Sequence, residues 1–483
     1  MGNFFRIQSI ELHNFKNVKH GSIDFSNYGS QNLDFEKNIT AVYGQNGSGK
    51  TALIEALLLV KRIIEGRKLR PDMENIIRKG EKTASISVTF FFNNENDTCL
   101  ATYTISFERT EKGIIISNEI ISSKEFANGK WNNNTEIINY SLQKNGFSIS
   151  PKYVYQNLIS KKELALELLV AQSLCSVENE KTNKIESISL LFSNRFSELL
   201  KRVKTKSHIE KMIAIQKTIG YISNAVNKNI LVVCDTTFGG IQENIHAIPI
   251  YIKQKYNNPN GQELEAIGAI PIDIYSKTVI PAELMDVYNN FVKQINAVLP
   301  SIIPGISVEL IDIQQEYNET NQKLLSFSIV TVRDNQRISL KYESAGIKKV
   351  LCIISSLIAA FNNPDMCFVV DELDSGLFEY LLGQIITVFK DDAKGQLIFT
   401  SHNLHILELL DNKSIIITTW NSDNCYRHLP NVQANNNKRL LYLKQIELSD
   451  DEGDIIYNKT NQYEMSYAFK KAYMIAKEGV GVE

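Results

Sequence analysis

The chain is predicted to be an α/β protein: a parallel sheet carrying a strand–loop–helix unit, with an antiparallel β subdomain and a helical insertion. Three observations predict this. An apolar strand, a glycine-rich loop and an apolar helix follow one another in "NITAVYGQNGSGKTALIEALLLVKRII". Two further short apolar runs, "CFVV" and "LIF", each end in polar, chemistry-bearing residues, as strands of a buried parallel sheet do at their C-terminal ends. Between these parts, runs of period-two alternation give way to runs of helical spacing.

The N-terminal run "FRIQSIELHNF" alternates apolar and polar residues like a half-buried strand, and "HGSIDFS" reads as its hairpin partner. "ASISVTFFFNN" and "CLATYTISFER" are two more such strands, with "NNEND" as the turn between them, and "GIIISNEIISS" continues the sheet. Residues 1–150 are therefore assigned to an N-terminal lobe with an antiparallel sheet. Residues 151–265 are assigned to a mainly helical insertion, because "KKELALELLVAQSL", "ESISLLFSNRFSELLKRV" and "HIEKMIAIQKTIGYISNAV" carry apolar residues at helical spacing. "LVVCDTTF" is a short strand near its end, and Asn257–Glu263 a loop. Residues 266–483 form the C-terminal lobe. It opens on a helix with Pro281 near its first turn and Pro300 past its end, followed by alternating strands at "ISVELIDI", "KLLSFSIVTV" and "RISLKYE". The asparagine runs at 132–134 and 435–437 read as polar surface loops.

Composition narrows the class. Of 483 residues, 43% are hydrophobic and 22% charged, which suits a soluble protein with a large core. A formal net charge of −2 gives no global attraction for nucleic acid, so binding to it would need a local patch. The six cysteines form no C-x-x-C pair, which argues against a zinc ribbon or disulfide framework and for a reduced, cytoplasmic setting. The N-terminus lacks a signal-peptide core, and no stretch reads as long enough to cross a bilayer, so no membrane partner is expected.

The loop fits G-x-x-x-x-G-K-[ST], with Gly44, Gly49, Lys50 and Thr51 at its fixed points and Asn46, Gly47 and Ser48 between them. Glycines let backbone N–H groups converge on an anion, and the following helix adds the positive end of its dipole. Lys50 can reach the β- and γ-phosphates of a nucleotide, and the Thr51 hydroxyl can hold Mg²⁺. In "MCFVVDELDSGL", Asp371 at a strand end can hold the Mg²⁺ shell and Glu372 can deprotonate an attacking water. In "GQLIFTSHNLHIL", His402 lies just past a strand end, where it can bond the γ-phosphate; His405 reads as structural. In "ESAGIKK", Ser344 and Gly346 open an apolar helix whose N-terminus offers N–H donors.

This order of parts resembles the ATP-binding-cassette (ABC) ATPases of the SMC/RecF/OLD class, a P-loop NTPase fold. The resemblance rests on "IELHNFKNV", the Walker A loop 44–51, the signature-like "ESAGIKK", the Walker B strand 367–372, the D-loop-like "LDSGL" and the H-loop histidine 402. It leaves the middle of the chain uncovered. It implies ATP and Mg²⁺ as ligands, ATP hydrolysis with Glu372, Lys50 and His402 as catalytic groups, and self-association. Ser344 and Gly346 would then complete the site of a second subunit, with Asp374 at the seam. Ala345 stands where the signature usually has a glycine, and no Q-loop glutamine is identifiable.

The helical stretch has no sustained heptads, which excludes long SMC-type arms. The segment after His402 is too short for the Toprim domain of OLD nucleases. The chain thus resembles the short ATPases of bacterial anti-phage systems (PtuA-, AriA- and AbiL-like), which implies a separate effector, a nuclease, as partner. The closing segment "EGDIIYNKTNQYEMSYAFKKAY" is similar to their tails. A RecF-like DNA-binding repair or clamp ATPase is the alternative, with "KRIIEGRKLR" (61–70) and "KRVKTKSHIEK" (201–211) as candidate patches, although each also reads as a solvated helix face. The acidic runs 391–392 and 450–454 read as solvated surface.

Overall fold

The structure is a computed structural model. It describes residues 4–25, 39–69, 71–93, 98–143, 146–203, 208–234, 245–255, 263–421, 423–429, 438–448 and 461–478. The turn 94–97, loop residues 257–262, the run 435–437 and the acidic segment 450–454 lie outside these.

Elements are numbered here in chain order. The first sheet is antiparallel: β1 (Phe4–Phe15), β2 (Val18–Asp24), β4 (Thr83–Asn93), β5 (Thr98–Thr110), β6 (Gly113–Ala127), β7 (Lys130–Trp131), β8 (Thr135–Gln143) and β9 (Gly146–Ser150). Its strand order is β2-β1-β4-β5-β6-β8-β9, with β7 on β6. The alternation in the sequence is its cause: Ile86, Val88 and Phe90 of β4 and Tyr103, Ile105 and Phe107 of β5 line one buried face.

The second sheet holds β3 (Ile39–Tyr43), β12 (Ile230–Val233), β19 (Cys367–Val370), β20 (Gln396–Thr400), β21 (Ile415–Thr418) and β22 (Tyr426–His428). The order is β12-β19-β20-β3-β21-β22, all parallel neighbours except the last pair. Its strands read as continuous apolar runs because both faces are covered. Val42, Val232, Val369 and Ile398 face a core shared with the antiparallel sheet, α1 (Lys50–Ile64) and α5 (Ile209–Asn229). Tyr43, Val233, Val370 and Phe399 face a second core, shared with α6 (Met285–Ile302), α7 (Ala345–Asn362) and α8 (Glu379–Asp392).

The middle segment contains α2 (Lys152–Leu158), α3 (Lys162–Ser173), the hairpin β10 (Ser176–Asn179) and β11 (Lys184–Ser187), and α4 (Asn194–Arg202), followed by α5. Two expectations need correction. "ESISLLF" is a strand and loop rather than the start of a helix, with the α4 cap at Ser193, whose side chain accepts from Phe196 N. Helix also ends at Asn229, so the last part of the span 151–265 is strand: β12 joins the parallel sheet, and β13 (Ile245–Lys255) pairs with β14 (Glu263–Asp273).

A third sheet, β15 (Thr278–Pro281), β16 (Ile306–Tyr317), β17 (Lys323–Arg333) and β18 (Gln336–Ser339), is antiparallel. Pro300 lies inside the last turn of α6, not beyond it; so close to the end, its missing N–H forfeits a single helical bond. The short helices α9 (His405–Leu409) and α10 (Lys438–Leu448) follow, and α11 (Gln462–Glu478) is exposed along its described side chains.

One helix, Ala345–Asn362, does reach the length and hydropathy of a membrane span, contrary to the expectation that none would. It is 56% buried inside the protein, and Val350, Leu351, Ile353, Ile354 and Leu357 pack in the second core, so its apolarity is that of a core helix.

Candidate nucleotide site

β3, β19 and β20 lie side by side and run the same way, so the segments leaving their C-terminal ends meet along one edge of the sheet. These are the segments the sequence singles out: the loop 44–51 after β3, Asp371-Glu372 after β19, and His402 after β20.

The loop is built by close approach. A Cβ on Gly44 would lie 1.7 Å from Thr418 Oγ1, so only glycine lets the chain pass β21 there. Gly49 caps α1 with φ 109°, a backbone that other residues adopt only under strain. Ser48 Oγ donates to Gln45 O at 2.6 Å and pairs with Thr418 Oγ1, and Thr418 Oγ1 donates to Tyr43 O at 3.1 Å. Tyr426 OH donates to Gly49 O at 2.8 Å, Trp420 Nε1 donates to Gln45 Oε1 at 3.2 Å, and Asn17 Nδ2 donates to Gly47 O. Asn46, Gly47 and Thr51 are exposed.

Lys50 is buried and curls back on the loop, donating to Gly44 O at 2.7 Å and Gln45 O at 3.1 Å. Burial lowers its pKa, and the charges of Asp371, Glu372 and Asp374 oppose that shift. The ammonium and the three carboxylates therefore share one electrostatic site.

A single buried hydroxyl ties the Asp371 carboxylate to the backbone of Glu372. Thr400, the last residue of β20, donates from Oγ1 to Asp371 Oδ1 and accepts from Glu372 N at 2.7 Å. Glu372 is held at φ 46°, a left-handed conformation uncommon for a non-glycine residue. Lys349 of α7 donates to Asp371 O at 3.2 Å. Asp374 Oδ2 accepts from His402 N at 2.9 Å, while Oδ1 is buried without a hydrogen-bond partner among the described residues. The His402 residue is exposed.

Ser344 is the N-cap of α7 and its Oγ accepts from Ile347 N at 3.3 Å. A Cβ on Gly346 would stand 2.0 Å from Gly376 O, so this helix end rests directly on the turn after Asp374. Ser344 and Ala345 face solvent. Thr400, Thr418, Lys349 and Gly376 were not singled out from the sequence. Lys349 in "ESAGIKK", Gly376 in "LDSGL" and Thr400 in "GQLIFTSHNLHIL" stand inside quoted motifs without having been given a role there; Thr418 lies outside every motif.

Five of the basic residues in the two patches have acidic partners. Lys61 and Arg67 pair with Glu65, each at 2.7 Å, and Lys68 with Glu186 at 2.6 Å. Lys201 pairs with Glu198 at 2.8 Å and Arg202 with Glu167 at 2.5 Å; residues 204–207 lie outside the described residues.

Such a sheet, loop and carboxylate arrangement defines a nucleotide-binding head of the ABC-ATPase type. Residues 6–424 match the family described as RecF/RecN/SMC N terminal domain, and the chain belongs to that family of ABC-type ATPases. It is 34% identical over 94 residues to the chromosome partition protein Smc of Methanocaldococcus jannaschii, covering 19% of this chain and 7% of that one. It is 26% identical over 98 residues to the DNA double-strand break repair Rad50 ATPase of Archaeoglobus fulgidus, covering 20% and 10%. It is 34% identical over 81 residues to the DNA replication and repair protein RecF of Deinococcus radiodurans, covering 17% and 19%. The chain thus matches only a small part of the length of these relatives. Among solved structures, it is similar to the Smc head domain of Pyrococcus furiosus bound to the C-terminal domain of ScpA, with 15% identity, TM-score 0.37, and 92% and 100% of the two chains covered. A RecF–ATP structure shows 15% identity, TM-score 0.32, and 82% and 93% coverage.

Proposed function

We propose that this chain binds Mg–ATP in the loop 44–51 and hydrolyses it, with a second copy closing the site. The observation that carries this is the meeting of Lys50, Asp371 and Glu372 at one sheet edge, with Thr400 bridging the two acids. The residues fit the ligand. The Gly44 approach leaves no room for a side chain, Lys50 donates to loop carbonyls that phosphate oxygens can replace, and Thr51 is exposed at the helix start. Thr51 and Asp371 would hold Mg²⁺, which when bound neutralises phosphate charge.

In this reading Glu372 accepts the proton of the attacking water, its backbone fixed by Thr400. Lys50 binds the β- and γ-phosphates, and His402 bonds the γ-phosphate from the end of β20. Ser344 and Gly346 act in trans. Their exposure at the start of α7 and the buried Oδ1 of Asp374, without a hydrogen-bond partner among the described residues, support a seam at this face.

The test separates binding from turnover. Lys50→Ala should lose both, whereas Glu372→Gln should bind ATP and retain it unhydrolysed. Wild-type turnover in the Gln variant would refute the role of Glu372.

We further propose that the ATPase controls a separate effector protein, a nuclease, in anti-phage defence. In support, α11 exposes Tyr463, Tyr467, Phe469 and Tyr473, the kind of apolar surface partner proteins cover. Purified protein with Mg²⁺ and ATP should leave DNA and RNA uncut, with cleavage appearing only on adding the product of a neighbouring gene. Salt-dependent binding to duplex DNA by the chain alone would favour the repair reading instead.

A further inference from the structure

The hairpin β1–β2 presents three metal-ligating side chains on one face, outside the nucleotide site. His13 and His20 are direct cross-strand partners, and Glu11 lies two residues from His13, hence on the same side. Glu11 Oε1 stands 2.9 Å from His13 Nε2 and 3.2 Å from His20 Nε2. All three ligand atoms lie within 4.8 Å of one another, and the imidazole rings stack with centroids 4.5 Å apart.

The orientation of His20 fits a metal ligand. His20 Nδ1 bonds Asp423 O. A carbonyl can only accept, so Nδ1 carries the hydrogen. That leaves Nε2 as the ring atom turned toward Glu11 Oε1, at 3.2 Å, where either a proton or a metal ion can join the two atoms. A backbone carbonyl on the far nitrogen is also the usual way a ligating histidine is oriented toward its metal.

We propose that Glu11, His13 and His20 bind one divalent transition-metal ion of the zinc class. Two imidazoles and a carboxylate are a borderline ligand set that suits Zn²⁺ over Mg²⁺ or Ca²⁺. Bonds of about 2.0–2.1 Å in a tetrahedral site put ligand atoms about 3.3 Å apart, close to the 2.9 and 3.2 Å at which Glu11 Oε1 stands from the two imidazoles. Three protein ligands on an exposed hairpin leave the fourth position to water. The ion would tie the hairpin to the described residues 419–421 and 423–425: Asp423 orients His20, Cys425 N donates to His20 O at 3.1 Å, and Ser22 N donates to Asn424 Oδ1 at 3.1 Å. Both joined parts touch the phosphate loop, through Asn17 and Trp420. The site stands independently of ATP hydrolysis.

The experiment uses the full chain in a Cys99→Ser background, because Cys99 is the one cysteine among the six that is not buried. Chelator-stripped protein is titrated with Zn²⁺ by calorimetry without nucleotide. The expected result is one equivalent per chain, a raised Tm, and tetrahedral Co²⁺ absorption bands when Co²⁺ replaces Zn²⁺. His13→Ala and His20→Ala should each weaken binding by about 100-fold or more, since even outer-shell partners are worth 10–100-fold. Both should abolish the Tm shift and the Co²⁺ bands. Glu11→Gln, which keeps the side chain's shape, carries the same comparison should a histidine variant fold poorly. Absence of saturable binding, or binding unchanged in the variants, would overturn the proposal.

Discussion

Thr400 is the residue on which the geometry of the two acids turns, and Thr400→Val tests it with almost no change in volume. The substitution removes one donor and one acceptor. Asp371 Oδ1 loses a bond to a charged group, worth about 1.5–3 kcal/mol, and Glu372 N loses a neutral one worth about 1 kcal/mol. Thr400 is fully buried, so water does not replace the hydroxyl. The expected destabilisation is therefore roughly 2–4 kcal/mol in the unit that contains the parallel sheet. The functional effect should exceed the loss of stability. Glu372 sits at φ 46°, and the Thr400 bond is one of the contacts that hold it there. A displacement of about 1 Å in a catalytic group costs on the order of 100-fold. ATP binding, carried by the loop 44–51, should change little. Thr400→Ser keeps the hydroxyl and should restore most turnover. The assays are denaturant melts, nucleotide binding and steady-state phosphate release. A Val variant within about 0.5 kcal/mol of wild type and with unchanged turnover would refute the bridging role.

Gly346→Ala brings a Cβ to 2.0 Å from the backbone oxygen of Gly376, so the start of α7 must shift; ATPase activity should fall at least tenfold while binding by isolated chains persists. Ser344→Arg should stop hydrolysis, and mixing it with Lys50→Ala should restore a fraction of activity, because one composite site per heterodimer is then whole. Verified heterodimers with no activity would count against action in trans. Gly44→Ala meets Thr418 Oγ1 at 1.7 Å and should abolish nucleotide binding outright, as read by a fluorescent ATP analogue. Glu119 is fully buried and accepts from Tyr103 OH at 2.7 Å and Leu190 N at 2.7 Å as well as from Ser189; Glu119→Ala strands these donors and should cost about 3–5 kcal/mol in a thermal melt.

How much of this was legible in the sequence follows from the range of the forces involved. Period-two burial is local, so β1, β2, β4, β5 and β6 could be read from alternation alone. The phosphate loop was legible because its demands fall on adjacent residues: glycines where the backbone passes β21 and enters α1, then Lys50 and Thr51. The segment 186–192 was misread because a short apolar run suits strand and helix alike, and its strand part, Glu186 and Ser187, is decided by pairing with Val177 and Ser176. The place of "ILVV" at the edge of the parallel sheet was hidden for the same reason; its partner, Cys367–Val370, lies more than a hundred residues away. Thr400 and Thr418 were invisible as site residues. In sequence each is a threonine ending an apolar strand, an ordinary β-former. Their importance comes from strand order: β20 lies between β19 and β3, which puts Thr400 against Asp371, and β21 flanks β3, which puts Thr418 against Gly44. The motifs name the loop and the acids, and the sheet supplies the hydroxyls that bond them. Variation at those two threonines should therefore tune turnover while leaving every motif residue in place.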